Sequence, residues 1–112
     1  MRIAFTAKGK DWESPMDARF GRAEFLVVYD EEADTLSHFD NREIANVGHG
    51  AGPQTAQKIF DMKVDALVTG NGPGGNAAAV LNQTGIKIFI GAGDMTIRKA
   101  YEAYQKKQLN LA

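Results

Sequence analysis

The chain has no cysteine, two histidines, one tryptophan and three prolines among its 112 residues. Without a thiol it cannot hold a disulfide framework, a thiolate nucleophile, a Cys-ligated zinc ion or a permanently Cys-held iron–sulfur cluster. That usage fits a cytoplasmic protein. Two histidines leave no Ser–His–Asp arrangement beyond coincidence, and no His-x-x-His or carboxylate spacing joins His38 to His49 as a metal site. No apolar run approaches the roughly 18 to 20 residues that a bilayer requires. The opening Met1-Arg2-Ile3-Ala4-Phe5-Thr6 is too short and too soon polar for a secretory signal, so a soluble, intracellular protein is expected. Net charge is lacking too. Thirteen Lys and Arg against 14 Asp and Glu give −1, so no global field draws nucleic acid or anionic lipid, and any basic site must be local.

What remains is a globular composition, 44% hydrophobic and 24% charged, in a length that suits one domain over residues 1–112. A chain of this size removes about 65% of its unfolded surface from water, enough for one core. Glycine is the residue in excess, 12 of 112 against a usual 7% or so, and the glycines are clustered.

The hydrophobic pattern predicts strands at Arg2–Ala7, Glu24–Asp30 and Thr35–Asp40. Residues 25–29 are apolar on both faces, as in a buried central strand. The acidic turn Glu31-Glu32-Ala33-Asp34 makes the second and third strands an antiparallel hairpin, with the weaker third at the edge. Pro53 suits a first helical position, ahead of Ala56, Ile59, Phe60 and Val64 on one face. A strand follows at Asp65–Thr69, then a helix capped by Asn76 and ended by Gly85, then a strand at Ile86–Ile90. A last helix, capped by Thr96 or Asp94, presents Ile97, Ala100, Tyr101 and Tyr104 and carries Lys106 and Lys107 in its final turns. The order βββαβαβα predicts an α/β fold whose later strands are parallel. In such sheets ligands bind beyond the carboxyl ends of the parallel strands. Loops 8–22, 70–75 and 91–95 should converge there, and loop 46–52 can join them.

Gly70-Asn71-Gly72-Pro73-Gly74-Gly75 lies between a strand and a helix. Glycines let backbone N–H groups approach a ligand, and the helix start adds positive potential. The stretch formally matches a dinucleotide fingerprint, with Asp94 at ribose distance. Its place on the fourth strand, the single strand–helix–strand unit after it and the missing N–H of Pro73 argue against that reading. A phosphate-like or other anion, or a tight connection with no ligand, remain. In Asn46-Val47-Gly48-His49-Gly50-Ala51-Gly52-Pro53 an accessible His49 is either a metal ligand or a solvated loop residue. The long stretch Lys8–Arg22 has no secondary-structure signal, and such loops are often functional. Its Arg19 and Arg22 either clamp an anion or stand in solvent while Phe20 anchors the loop, and Trp12 and Met16 cover a ligand or a partner. The first strand has no Asp or Glu, where a two-metal nuclease on a comparable sheet needs them.

Arg19-Phe20-Gly21-Arg22-Ala23 before a strand, Gly48-His49-Gly50-Ala51-Gly52 before a helix and Thr69-Gly70-Asn71-Gly72-Pro73-Gly74 together resemble the dinitrogenase iron–molybdenum cofactor biosynthesis family. The similarity runs from Arg2 to Leu109 in the same order and spacing. Family members often carry His where this chain has Arg19. The resemblance implies a ribonuclease-H-like fold with a five-stranded mixed sheet of order 3-2-1-4-5. It also implies non-catalytic binding or carriage of an iron–sulfur-type or iron–molybdenum-type cluster or its precursor, transiently held.

The expected site therefore has His49 as its metal ligand, with Arg19, Gly21, Arg22, Gly48, Gly50, Gly70, Asn71, Gly72, Gly74 and Gly75 around the guest. The expected partners are the cluster or a small anion and the proteins that donate or accept it, with no nucleic acid and no membrane. The alternatives are a phosphate- or nucleotide-binding sensor and a protein-interaction module built on the Trp12 loop. An enzyme is not expected.

Overall fold

A computed structural model, describing residues 1–112, shows a mixed sheet with helices on both faces. The strands are β1 (Arg2–Ala7), β2 (Phe25–Asp30), β3 (Thr35–Asp40), β4 (Ala66–Val68), β5 (Lys87–Ile90) and β6 (Asn110–Leu111). The helices are α1 (Arg42–Ala45), α2 (Ala51–Asp61), α3 (Gly75–Asn82) and α4 (Ile97–Gln105). The sheet has six strands in the order β3-β2-β1-β4-β5-β6, where the sequence predicts five. The predicted order 3-2-1-4-5 is intact, and β6 adds itself antiparallel to β5 through Phe89↔Leu111 and Ile90↔Asn110. A two-residue strand has no periodicity to read. β1 pairs antiparallel with β2 and parallel with β4, so the chain reverses sense beside β1.

Alternation along the strands sorts the core into two layers, because successive side chains point to opposite faces. Ala4, Leu26, Val28, Leu67 and Ile88 pack under α2 and α3 with Ala56, Ile59, Ala77 and Leu81. Ile3, Phe5, Val27, Ala66 and Val68 pack under α4 with Ile97 and Ala100. Both faces of β1 and β4 are thereby covered, which is why these strands read as unbroken apolar runs.

Several local expectations are corrected. α2 starts at Ala51 behind Gly50, so Pro53 falls two residues inside its first turn. Phe60 is 48% exposed, and Val64 lies past the end of α2. Asn76 is inside α3, whose cap is Gly74, and α3 ends at Asn82, short of Gly85. Of the two candidate caps of α4, Thr96 serves, accepting the Lys99 N–H at 3.2 Å. The stretch Lys8–Arg22 is tied down at both ends: Ala7 bridges Met16, Pro15 bridges Thr96, and Asp17 N–H donates to Thr6 O at 2.9 Å. Met16 is 1% exposed and belongs to the core. Trp12 lies edge-on to Tyr29 at 4.9 Å, packed beside Tyr101 and under Arg98.

Leu67 is fully buried and Leu111 is 62% exposed. Denaturant unfolding should therefore find Leu67→Ala destabilised by about 2 to 5 kcal/mol, and Leu111→Ala by under about 1 kcal/mol.

Candidate functional site

The carboxyl ends of β1, β4 and β5 meet through backbone approaches that only glycine permits. Ala18 sits in a slot between Gly70 and Gly93. A Cβ on Gly70 would lie 2.6 Å from Ala18 Cα and 2.8 Å from Gly93 Cα. Asn71 N–H donates to Ala18 O at 2.8 Å, and Gly91 N–H donates to Gly70 O at 3.0 Å. Beneath the slot, Thr6 and Thr69 hydroxyls lie 2.8 Å apart, and Thr6 Oγ1 donates to Asp17 O at 2.9 Å. Thr6 has one proton to give, so Thr69 is the donor to Thr6.

A second interlock joins the Arg19–Arg22 turn to α2. A Cβ on Gly21 would lie 2.7 Å from both the N and the Cα of Gly52. Thr55 Oγ1 donates to Gly21 O at 3.2 Å and receives Asn41 Nδ2, which also donates to Ala23 O at 2.9 Å. Gly52 in turn faces Ala77, 3.6 Å from where a Cβ would stand. The mouth of α2, with the exposed His49 just before it, therefore lies beside the first turn of α3. Loops 8–22, 70–75 and 91–95 converge as the sequence predicts, and loop 46–52 joins them through α2.

The two arginines are not free clamps. Arg19 Nε and Nη2 grip the two carboxylate oxygens of Asp17, each at 3.0 Å, and the Arg19 N–H adds a third bond. The Asp17 side chain is 1% exposed, while that of Arg19 is 58% exposed at the surface. Burial alone would raise the Asp17 carboxyl; the hydrogen bonds and charge of Arg19 outweigh it and hold the group below the usual carboxylate range. Arg22 Nη1 donates to Ala45 O and Val47 O, both at 2.6 Å, and so braces the approach to Gly48. Arg22 is a strut of the His49 loop, a role the sequence reading did not assign. Thr6, Asn41, Thr55 and Thr69 also had no role assigned there, because buried polar pairing across 11 to 63 residues leaves no local signal.

The glycines divide into two groups. Gly21 and Gly70 are required by crowding, and Gly50 by φ +80. Gly48, Gly74 and Gly75 have nothing within 4 Å of a Cβ, Gly72 meets only Ile90 Cγ2 at 3.8 Å, and none has positive φ. Neither packing nor backbone conformation asks for glycine at these four positions. Around them the backbone N–H groups of residues 48–52, and of residues 72 and 74–77, have no acceptor within the protein. Neither α2 nor α3 has a capping side chain or an acidic residue in its first turn, whereas α4 has Thr96. Two adjacent helix starts thus present donors and the positive ends of their dipoles to one open rim.

Metal-binding side chains are sparse. No group of three His, Cys, Asp or Glu could hold an ion, His49 is the only imidazole at the rim, and His38 lies on β3 edge-on to Phe25. The rim is shallow: the two concavities of the molecule, about 500 and 430 Å³, lie elsewhere, one against Phe60 and Ile86, the other between β5, β6 and α4.

Two predictions follow from this geometry. Gly21→Ala and Gly70→Ala should each lower stability by about 1 to 3 kcal/mol through overpacking, whereas Gly74→Ala and Gly75→Ala should leave it unchanged or raise it by up to about 1 kcal/mol; thermal melts decide. The stabilisation from Asp17, whose folded carboxyl is depressed, is present above the ordinary Asp value and lost as pH falls through the lower folded one. Asp40, held at about 2 by its hydrogen bonds to Arg42, acts in the same direction. The Tm should be flat from neutral pH down to about 5 and fall below about 4. Asp17→Asn should start lower and fall less steeply.

The family model for the dinitrogenase iron–molybdenum cofactor matches residues 1–107. Among solved structures, the apo form of the orange protein from Desulfovibrio gigas superposes with a TM-score of 0.92 at 33% identity, over 99% of this chain and 92% of that one. A putative NifB protein from Thermotoga, solved by NMR, gives 0.83 at 31% identity, over 98% and 91%. None of the curated proteins matches. No helix is long and apolar enough to cross a membrane. Matched over nearly its whole length and sharing this fold with relatives at more than 30% identity, the chain belongs to the dinitrogenase iron–molybdenum cofactor family.

Proposed function

We propose that the rim formed by the starts of α2 and α3 binds and carries an anionic metal–sulfur cofactor or its precursor, without catalysis. One observation carries this reading. Gly48, Gly72, Gly74 and Gly75 occupy positions where the fold has no need of glycine, and the N–H groups around them have no protein acceptor. Clearance plus donors suits a negatively charged guest seated against backbone. Hydrogen bonds to a charged group contribute about 1.5 to 3 kcal/mol each, and a helix start adds about 0.3 to 1 kcal/mol. Several together hold a multiply charged anion without a full set of metal ligands.

The donor set fits such a guest. His49 is the one side chain able to bond a metal there, and the absence of a three-ligand group makes attachment loose and reversible. Loose attachment suits delivery. Arg19, paired with Asp17 through Nε and Nη2, is 58% exposed and keeps Nη1 unshared, and Asn71 is anchored by its own N–H to Ala18 O. β1 has no Asp or Glu, where a two-metal nuclease on a comparable mixed sheet needs inward carboxylates, and this supports the non-catalytic reading.

Anaerobic titration with tetrathiomolybdate, a small molybdenum–sulfur dianion, tests the reading by its visible spectrum. Wild type should bind, and Gly74→Ala, Gly75→Ala and His49→Ala should each bind at least tenfold more weakly with no loss of Tm. Equal affinity in all four proteins would remove the rim from the account. The same donors would accept phosphate, so a thermal-shift series with phosphate and nucleotides runs beside it. A shift of about 2 to 4 kcal/mol at saturation with those ligands alone would favour a phosphate-ligand sensor.

A further inference from the structure

The groove of about 430 Å³ between the end of α4 and the β5–β6 edge lies apart from the rim, and nothing in the carrier reading uses it. Its floor is apolar, with Phe89 edge-on to Tyr104 at 5.1 Å and Leu109 and Leu111 alongside. Its only charged lining residues are Lys87 and Lys107, and Lys106 is adjacent in the chain. A chain of net charge −1 thus has one concavity bordered by cations with no carboxylate among its lining residues.

Lys107 adds a second observation. It follows α4 at φ +58, closing the helix with Lys107 N–H on Tyr104 O and Gln108 N–H on Ala103 O. Glycine is favoured at that position, since a side chain is strained in the left-handed region. The chain instead keeps an ammonium group there, at the border of the groove.

We infer that this groove docks an acidic segment of a partner protein, seating a Leu or Phe side chain on Phe89, Tyr104 and Leu111 with flanking carboxylates on Lys87 and Lys107. The apolar floor supplies the driving force, and the lysines select the sign of the flanks. The groove lies at the sheet edge and the guest rim at the carboxyl ends of the parallel strands, so a partner docked here leaves the starts of α2 and α3 open.

The probe is a fluorescein-labelled, end-capped peptide with Leu and Phe at its centre and Glu on both sides, read by polarisation and by amide shift mapping on the full chain. Binding should perturb Lys87, Phe89, Tyr104, Lys107 and Leu111, weaken at least tenfold in Lys87→Glu, and vanish when the central residues are Ser. Lys107→Gly separates structure from recognition: its Tm should rise by a few degrees while peptide affinity falls. No binding at millimolar peptide, equal binding of a Lys-flanked counterpart, or perturbations mapping outside the groove would overturn the inference. So would self-association of the chain through the same residues, which would make a second copy the occupant.

Discussion

The site depends on how closely two stretches of backbone can approach. Ala18 stands between Gly70 and Gly93, and Gly21 stands on Gly52, at separations that a single added methyl group would abolish. These contacts bring the turn after β1, the turn after β4 and the start of α2 into one small volume. Every feature of the rim follows from them. The buried pair Thr6–Thr69 and the Asn41 Nδ2 bonds to Thr55 and Ala23 O then satisfy donors that such tight packing removes from water, while Asn41 Oδ1 stays without a partner.

Within that frame, charge is handled twice and differently. Arg19 and Arg22 look like a ready anion clamp when read along the chain, yet the fold uses one to neutralise a buried Asp17 and the other to brace two carbonyls. At the rim the unshared donors are peptide N–H groups at two helix starts, where the dipoles place their positive ends. Such donors are fixed by secondary structure, so a guest meets them without reordering long side chains.

The two layers of the molecule separate duties in a similar way. The α2–α3 face supplies the rim, while the α4 face holds the Trp12, Tyr29 and Tyr101 cluster, with Tyr101 donating to Glu31 at 2.5 Å. That cluster turns the stretch after β1 into a packed wall, so a loop that the sequence leaves as cover for a ligand or a partner is part of the core's own cover. Its inner residue Met16 belongs to the core itself.

Strands β1 to β5, the β2–β3 hairpin and the parallel sense of the later strands were legible because apolar runs, a turn and alternating strand–helix segments are local patterns, whereas the order 3-2-1-4-5 was an expectation carried by the family resemblance. Helix entries were misplaced by a residue or two, since Gly50 and Gly74 cap without a side-chain signal. The motifs around Arg19, His49 and Gly70 were visible in one dimension, and so was their placement at one end of the sheet. Which glycines serve packing and which border open space was decided only in three dimensions. That distinction rests on what a Cβ would touch, and the touching atoms come from residues as far away as Ala18 is from Gly93. Periodicity along the chain specified the main strands and helices; distances between segments remote in sequence determined which loops meet at the rim.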